Sequence, residues 1–442
     1  MLMTRFCSAA LLALGSAHAA DVSFSNQVAP LLAEKCVECH RQAKAKGSYR
    51  LDTFEQLGKA GESEAKPFTP GKPEASELYK LLVTEDDSDR MPKKADPLTK
   101  DEIALIQRWI AEGAKFDGKD PKRLLSDLST TRAKVATPEK YPRALPITAL
   151  ATSPDGKLIV ASGYGEVTLW DTASLKLVGR IGDLPERITS LRWIAPGNMV
   201  AVAGGTPGRS GELWLVDMAQ RKPLKRLLTS PDTIQCLAVS NDGKLLASGG
   251  VDNHVRLFEM PEGRLRWDVE GHADWVMSLA FSQDSQLLAS ASRDRTARLF
   301  ATANGEIKAT HTAHATAVLS VMFSIDGKKV YSGSADGEIH QWNLEGKVEK
   351  GGPGRPTREG VLQLTSGTTN RIFASLGTKG VVELNESARK VALSLSPGDA
   401  RIDAIAFIAD PPTLITGAQN GEVRIWDLME NKERSKFVAR PQ

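Results

Sequence analysis

Two cysteines and a histidine near the amino terminus form the most chemically informative stretch of the sequence. Cys36 and Cys39 are separated by two residues and His40 follows directly, in the segment EKCVECHRQ. Cysteine and histidine are both scarce, so this C-x-x-C-H spacing is not expected by chance. The pattern is typical of three chemistries: covalent haem attachment, half of a zinc site, or a redox-active dithiol.

The zinc and dithiol alternatives have less support in the rest of the chain. A structural zinc site needs four Cys or His ligands, but the next cysteine is Cys236 and the next histidine is His254. A thioredoxin-like dithiol lies in a β-α-β pattern, whereas the surroundings here show helical spacing. We therefore predict one covalent haem c, held by thioethers from Cys36 and Cys39, with His40 as the proximal iron ligand.

The first twenty residues, MLMTRFCSAALLALGSAHAA, have the organisation of a secretory signal peptide. Arg5 gives a short positive region, an apolar run follows from Phe6 to Leu14, and small residues lead to cleavage after Ala19 or Ala20. The apolar run is too short to span a bilayer, and no later stretch is long and apolar enough. We expect a bacterial periplasmic protein, in the compartment where haem c is attached.

A sixth iron ligand is sought between the motif and Phe116. That range has no other histidine and one methionine, Met91, in the segment DRMPKKADP. Pro92 favours an extended loop at this point, and a thioether opposite the histidine raises the reduction potential. Met91 is the predicted distal ligand. A lysine ligand (Lys93 or Lys94), an open site, and a methionine that only packs against apolar neighbours remain alternatives.

Two helices are expected to position these residues. The segment SFSNQVAPLLAEKC predicts a short helix capped by Ser25 or Asn26 that leads into the cysteines. The segment PLTKDEIALIQRWIAEGAKF predicts a second helix that begins with a capping box of Thr99 and Glu102. Trp109 belongs to its apolar stripe, and we expect it in the core, against the first helix.

This region resembles the planctomycete-type cytochrome c domain over about 95 residues. The resemblance rests on VAPLLAEKCVECH, GSYRLDT, TPGKPEASELYKLL, the Met-Pro pair and WIAEGA. One departure is GSYR, where the family tends to have paired glycines, and it does not affect the ligands. The resemblance implies a mono-haem electron carrier whose haem residues are Cys36, Cys39, His40 and Met91.

From residue 147 onward a pattern of about 42 residues recurs seven times. Each copy has an apolar strand, an Asp-Gly type turn, a second strand, another turn and a third strand, as in IQCLAVSNDGKLLASGGVDNHVRLFE. The second and sixth copies depart most from the pattern. The copies begin near residues 147, 188, 234, 276, 318, 361 and 402.

These copies resemble the WD-repeat family at a Gly-His pair (271–272) and two Trp-Asp pairs (170–171 and 426–427). The resemblance implies a closed seven-bladed all-β propeller. In the fifth copy, the family's spacing for a buried hydrogen-bond chain is met by His314, Ser332, Asp336 and Trp342. Hydrolase triads use similar residues, but these types recur in other copies, so we expect a structural role. Whether AKVAT or the tail RSKFV closes the ring stays open.

The predicted fold class is therefore multidomain, with a small all-α unit followed by an all-β propeller. We divide the chain into a signal peptide (1–20), a cytochrome c domain (21–116), a linker (117–146) and the propeller (147–442). The 442 residues contain 41% hydrophobic and 25% charged residues, as in globular proteins. The net charge of +3 gives no electrostatic reason to expect nucleic-acid binding.

Arginines in the turns between the second and third strands, and in the loops between blades, are expected on one face of the propeller. They predict a docking face for an acidic or anionic protein partner. The alternative is that they pair with turn aspartates and are otherwise solvated. The residues are Arg187, Arg209, Arg293, Arg295, Arg355, Arg358 and Arg401.

We favour an exported mono-haem cytochrome that exchanges electrons with a redox partner protein and uses the propeller to bind other proteins. The alternative is a redox enzyme whose propeller holds a second cofactor or substrate, as in haem nitrite reductases and pyrroloquinoline-quinone dehydrogenases. Against an enzyme, the repeats look like seven ordinary WD repeats. We also expect no cluster of histidines and carboxylates with metal-ligand spacing in the propeller.

Overall fold

The computed structural model describes residues 22–37, 39–41, 45–93, 97–118, 120–125, 137–195, 197–349, 354–355, 358–366, 371–385, 391–396, 398 and 400–441. The predicted signal peptide lies outside these residues. The chain forms two compact units, Met1–Arg132 and Ala133–Gln442. In the described ranges, no helix combines the length and apolar character needed to cross a bilayer.

The first unit is built from short helices, as predicted. A π-helical turn at Phe24–Val28 continues directly into α1. Two 3-10 turns, Lys46–Ser48 and Pro73–Ala75, connect the later elements. The α-helices are α1 (Ala29–Lys35), α2 (Phe54–Leu57), α3 (Glu77–Val83) and α4 (Lys100–Ala111).

The two predicted helix starts have different outcomes. The capping box of α4 is confirmed, because Thr99 Oγ1 accepts from the Glu102 N–H and Glu102 accepts from the Thr99 N–H. The predicted cap at Ser25 or Asn26 is wrong, because helical structure already begins at Phe24. The Ser25 N–H donates instead to the Asp117 carboxylate at 2.7 Å. A carboxylate distant in the sequence therefore accepts from a first-turn N–H group that has no partner within the helix.

An aromatic core holds this unit together. Trp109 is 1% exposed, and its ring lies 5.1 Å from that of Phe24 and 5.2 Å from that of Phe68. Large buried rings supply much of the hydrophobic stabilisation of a small domain. The expectation that Trp109 is a core residue packed against the first helical segment is confirmed.

Parts of the predicted linker pack against the unit that each adjoins. The buried Leu125 donates its N–H to the Asp52 carbonyl at 2.8 Å in the first unit. The Tyr141 hydroxyl donates to the Glu166 carboxylate at 2.7 Å in the propeller. The sequence-based boundaries at residues 116 and 147 stay predictions.

The second unit is a seven-bladed propeller. Each blade is an antiparallel sheet whose strands are neighbours in both sequence and space. The first four blades comprise β1 (Leu150–Thr152), β2 (Leu158–Ser162), β3 (Val167–Asp171), β4 (Leu177–Ile181); β5 (Arg187–Ile194), β6 (Met199–Thr206), β7 (Ser210–Asp217), β8 (Lys222–Ser230); β9 (Ile234–Val239), β10 (Leu245–Gly250), β11 (His254–Glu259), β12 (Arg264–Glu270); β13 (Val276–Phe281), β14 (Leu287–Ser292), β15 (Ala297–Ala301) and β16 (Ile307–His311).

The fifth blade has three strands plus isolated bridges at Val348 and Gly354. The innermost strands of all seven blades begin close to the predicted copy starts, which confirms the propeller. The last three blades comprise β17 (Val318–Phe323), β18 (Lys329–Ser334), β19 (Ile339–Asn343); β20 (Gln363–Ser366), β21 (Arg371–Ser375), β22 (Val381–Asn385), β23 (Val391–Leu395); β24 (Ile402–Ile408), β25 (Thr413–Ala418), β26 (Glu422–Asp427) and β27 (Lys432–Val438).

In the described residues, no blade combines strands from the beginning and the end of the propeller segment. The tail forms β27, the outermost strand of blade seven, so all four strands of that blade come from one segment. Contacts join the start of the propeller to its end: the Ile147 N–H donates to the Ala418 carbonyl at 3.1 Å, and Arg440 Nε donates to the Tyr141 carbonyl at 2.7 Å. Most of AKVAT lies outside the described residues.

Candidate haem site

The cysteine motif forms a tight turn at the end of α1. The Cys36 N–H donates to the Leu32 carbonyl at 2.9 Å and caps the helix. The N–H groups of Cys39 and His40 both lie 3.2 Å from the Cys36 carbonyl oxygen. Cys36 and Cys39 are both free thiols. The turn therefore holds two sulfurs and an imidazole on one short loop, as haem c attachment requires.

The electrostatics of Cys36 argue against a redox dithiol. The pKa of this thiol is raised to about 12, chiefly by burial and also by the neighbouring Cys39, against a smaller lowering by Lys35. Catalytic dithiols depend on a thiol whose pKa is lowered by a positive environment. The shift at Cys36 has the opposite sign.

The orientation of His40 suits iron binding. Its Nδ1 lies 3.1 Å from the Tyr49 carbonyl oxygen. A carbonyl only accepts, so Nδ1 carries the hydrogen and Nε2 keeps its lone pair. The Tyr49 hydroxyl in turn donates to the Leu57 carbonyl at 2.9 Å. Such outer contacts fix the tautomer and direction of a metal-binding histidine.

Met91 occupies a loop after α3, as its sequence context predicts. Its N–H donates to the Leu81 carbonyl at 2.9 Å, and its half-buried side chain packs against the same apolar core as Cys36. Lys93 is exposed, and Lys94 lies outside the described residues. The contrast in burial favours Met91 over Lys93, and the ligand assignment stays a prediction.

Sequence reasoning missed the part played by Tyr49. The residue lies in the segment GSYRLDT, which was used only as a family marker. Its contact with His40 depends on how the loop after the motif folds back: the Leu51 N–H donates to the His40 carbonyl at 2.9 Å. A polar loop gives no periodic signal that would have located this contact.

Comparison with known families agrees with this division of the chain. The family model of Planctomycete cytochrome C matches residues 36–95, from the first cysteine to just beyond Met91. The model of the WD domain, G-beta repeat, matches five segments of the chain. Each segment contains the three inner strands of one blade, namely blade one, three, four, five or seven. The segments are 141–171, 221–259, 263–300, 305–343 and 391–427. The chain joins a planctomycete-type cytochrome c domain to a seven-bladed WD-repeat propeller.

Curated relatives match about a quarter of the chain. Protein NEDD1 of Bos taurus is 27% identical over 119 residues, which is 26% of this chain and 18% of NEDD1. WD repeat-containing protein 91 of Danio rerio is 32% identical over 136 residues, 26% of this chain and 19% of that protein. The chain thus spans less than a fifth of the length of these relatives.

A solved structure supports the fold over a longer stretch. The computationally designed Ika8 protein superposes with a TM-score of 0.53 and 23% identity, covering 69% of this chain and 90% of that one. At this identity the likeness concerns the fold alone.

The candidate arginines of the propeller are all exposed, and the antiparallel strand order places their loops on one face. Several are paired, as the alternative interpretation expects. Arg355 contacts Asp336, Arg401 Nε lies 2.7 Å from Asp403, and Arg293 lies over the Trp275 ring at 4.1 Å. Paired arginines keep less of their charge available for a partner.

The predicted hydrogen-bond chain of blade five is incomplete. His314 Nε2 lies 2.7 Å from Ser332 Oγ, which also accepts from Trp342 Nε1 at 3.1 Å. Asp336 does not complete the chain; it accepts instead from Thr316 and Ser334. In place of a link to Asp336, the His314 ring stacks on that of His340.

A second expectation about the propeller is wrong. Three of its histidines come together as a group with metal-ligand spacing: His311, His314 and His340. The sequence gives no sign of this because the three residues lie on separate elements, with a whole pair of strands between His314 and His340.

Proposed function

We propose that this chain is an exported bacterial c-type cytochrome that carries one covalently attached haem and transfers electrons, while its propeller binds partner proteins. The observation that carries the proposal is the His40–Tyr49 contact within a C-x-x-C-H turn. It leaves one histidine nitrogen free beside two free thiols. This donor set is the one that haem c uses.

Each residue of the site has a defined part in this proposal. Cys36 and Cys39 would hold the haem through thioethers, and the iron would be bound by His40 through Nε2 and by Met91 through its thioether. Bound haem supplies an iron that gains and loses one electron. Cys36 and Met91 pack against the hydrophobic core that contains Trp109, and a methionine ligand raises the reduction potential.

The propeller part of the proposal rests on its architecture and its exposed face. WD-repeat propellers present loops of several blades on a single surface. Here that surface carries Arg209 and Arg358, both exposed. A positive face of this kind attracts an acidic protein and orients it during encounter. A redox partner with a negative surface is the expected occupant.

The decisive test is the pyridine haemochrome spectrum of the chain produced with cytochrome c maturation machinery. We expect one c-type haem per chain that stays bound after denaturation. Replacing both motif cysteines (Cys36→Ala with Cys39→Ala) should remove covalent haem completely. Cys236→Ala, a matched change at the buried propeller cysteine, should leave haem content unchanged.

Other outcomes would count against the proposal. An unmodified chain without covalent haem would contradict it. So would equal haem loss in the motif variant and in Cys236→Ala, which would point to general misfolding. A second, non-c-type chromophore would favour the alternative of a redox enzyme with a cofactor in the propeller.

A further inference from the structure

Three histidines form a buried group between the fourth and fifth blades. His311 ends β16, His314 lies in the following loop, and His340 lies in β19. One nitrogen from each ring lies within 4.8 Å of the other two. His311 and His314 are 1% and 4% exposed, so the cluster lies inside the fold. We call these three residues the histidine cluster.

The WD repeat does not account for His311. His311 lies in the fourth strand of its blade, opposite Ala297 of the third strand. The strands pair in the same way in the other blades, so the residue at this position can be compared between them. In the other five blades with a fourth strand, the equivalent partner is apolar. Those residues are Ile181, Leu228, Val269, Leu395 and Phe437.

His340 also departs from the repeat. It lies in the third strand of its blade, opposite Ser332 of the second strand. At the same position, blades three, four and seven have an arginine opposite a serine or threonine. Those pairs are Arg256 with Ser248, Arg298 with Ser290, and Arg424 with Thr416. Each of those arginines is paired with carboxylates of its own blade. In blade five a histidine stands where blades three, four and seven have a paired arginine and where blades one, two and six have Thr168, Trp214 and Val382. Two independent positions thus change to histidine, and their side chains meet.

The third member lacks a partner that its counterpart has. In blade four, His272 Nδ1 lies 2.9 Å from Asp294. In blade five the corresponding Asp336 is occupied by other groups, and His314 Nδ1 has no hydrogen-bond partner among the described residues. A buried polar atom left unpaired destabilises the fold. A ligand at this nitrogen would remove that cost.

The hydrogen bonds around the other two rings bring one nitrogen of each ring together. His311 Nδ1 lies 3.1 Å from the Gly346 carbonyl oxygen, so Nδ1 carries the hydrogen and Nε2 does not. That Nε2 faces His340 Nδ1 at 2.9 Å. His340 Nε2 lies 3.4 Å from the Glu338 carboxylate. Since His311 Nε2 can only accept, His340 Nδ1 donates the hydrogen of this contact. A bound cation would take the place of that hydrogen, with the His340 hydrogen carried on Nε2, toward Glu338.

We propose that His311, His314 and His340 bind one divalent transition-metal cation, with Zn²⁺ and Cu²⁺ as the ions that imidazole ligands favour. Zinc–nitrogen bonds of about 2.0–2.1 Å place two tetrahedral ligand nitrogens about 3.3 Å apart. The 2.9 Å separation of His311 and His340 is close to this value. The Gly346 carbonyl and the Glu338 carboxylate orient two of the ligands, as outer partners do in metal sites.

Binding requires one movement. The His314 and His340 rings stack with centroids 4.0 Å apart and planes inclined by 15°, so their in-plane lone pairs do not yet converge. His340 is the least buried of the three, with 14% of its side chain exposed, and it can turn toward the ion. The cluster lies at the end of the blades that carries the exposed arginines, and the His340 side chain is partly exposed there.

The protonation of the buried rings is compatible with metal binding. Burial lowers the pKa of His314 to about 3, helped by its histidine neighbours, and burial also lowers the pKa of His311. Both rings are therefore neutral near pH 7. Neutral imidazole is the form that binds metals.

The test is a Zn²⁺ titration of the full chain after removal of bound metal with EDTA, followed by calorimetry and by elemental analysis. We expect one Zn²⁺ per chain and a higher melting temperature with the ion. Two variants replace His340, the least buried of the three ligands. His340→Gln should bind at least about tenfold more weakly. His340→Arg, which places the residue of blades three, four and seven there, should also lose the site and still fold.

Controls separate the cluster from other zinc-binding groups. His254→Gln alters a histidine of β11 that pairs with Asp268 instead and should bind Zn²⁺ as the unmodified chain does. The Cys36→Ala, Cys39→Ala variant should keep the site, since its thiols are not involved. No stoichiometric binding, equal binding by the His340 variants, or loss of binding only in the cysteine variant would each overturn the proposal.

Discussion

The Nδ1 atom of His40 lies 3.1 Å from the carbonyl oxygen of Tyr49, and this contact determines which nitrogen remains free. A second hydrogen bond, from the Tyr49 hydroxyl to the Leu57 carbonyl at 2.9 Å, ties the loop to the end of α2. The loop after the motif therefore orients the proposed iron ligand through its backbone. Orientation of this kind lowers the entropic cost of forming a metal bond.

The distal ligand is tested by Met91→Ala. Because a thioether stabilises ferrous over ferric iron, we expect the reduction potential to fall by on the order of 100 mV. Covalent haem should remain, since the cysteines are intact. Met429→Ala, at an exposed propeller methionine, is the control. Potentials measured by redox titration that are equal in the two variants would exclude Met91 as the ligand.

The start of α4 offers a stability test within the first unit. Thr99→Ala removes the hydroxyl that accepts from the Glu102 N–H. We expect a loss of about 1 kcal/mol in the free energy of unfolding. Thr99→Ser keeps a hydroxyl at the cap and should lose much less. Urea denaturation followed by circular dichroism measures both, and equal losses would show that the cap is not responsible.

The junction of the propeller ends depends on Tyr141. Its hydroxyl donates to Glu166, a residue 1% exposed that also binds Arg180 at 2.7 Å. Tyr141→Phe leaves this buried carboxylate with one partner fewer and should cost about 1–3 kcal/mol. Tyr164→Phe, at an exposed tyrosine, should change stability by less than about 0.5 kcal/mol. Thermal unfolding of the propeller distinguishes the two, and similar losses would contradict this role.

Blade four makes propeller stability depend on pH. Burial lowers the pKa of His272, and contact with Asp294 offsets only part of this effect. The unfolded chain therefore takes up a proton at His272 that the folded chain excludes. Stability from this residue is complete above about pH 6.5 and falls below it, by up to about 1.4 kcal/mol per pH unit.

His272→Gln isolates that contribution. The variant should be less stable at neutral pH, and its stability should fall less steeply as pH is lowered through about 6. Asp294 and Arg298, the charged groups near His272, are unchanged in it. Denaturant titrations across this range provide the comparison. An unchanged slope would assign the pH dependence to other groups.

The proposed docking face is tested by charge reversal. Arg209→Glu with Arg358→Glu should weaken capture of an acidic redox partner, with a larger effect at low salt because the attraction is electrostatic. Lys222→Glu with Lys432→Glu makes the same charge change at the first residues of β8 and β27, at the opposite ends of the blades. Binding to the purified partner by surface plasmon resonance gives the comparison, and equal weakening would remove the face from the proposal.

Local patterns predicted much of this molecule. The seven copies, the α4 capping box and the buried Trp109 follow from short-range signals, namely strand alternation, turn residues and helical spacing. The haem motif is likewise contained in five residues. The cap of the first helical segment was missed because the group that satisfies Ser25 is Asp117, which is far away in the sequence.

The same limit explains the histidine cluster. Neither His311 nor His340 stands out in the sequence, because each lies in an ordinary strand. Only the strand register shows that both depart from the other blades, and only the three-dimensional structure brings them together. The sequence also could not show that Asp336 is absent from the hydrogen-bond chain of blade five, since the residue types at the expected spacing are all present.

The contiguity of the blades bears on how the propeller is made. In the described residues no blade borrows a strand from the opposite end of the chain. Each sheet can therefore be completed as soon as its own segment has left the ribosome, without waiting for the last residues to arrive. Assembly becomes a sequential addition of finished blades, and only the final contacts, such as Arg440 with Tyr141, must wait for the ring to be complete.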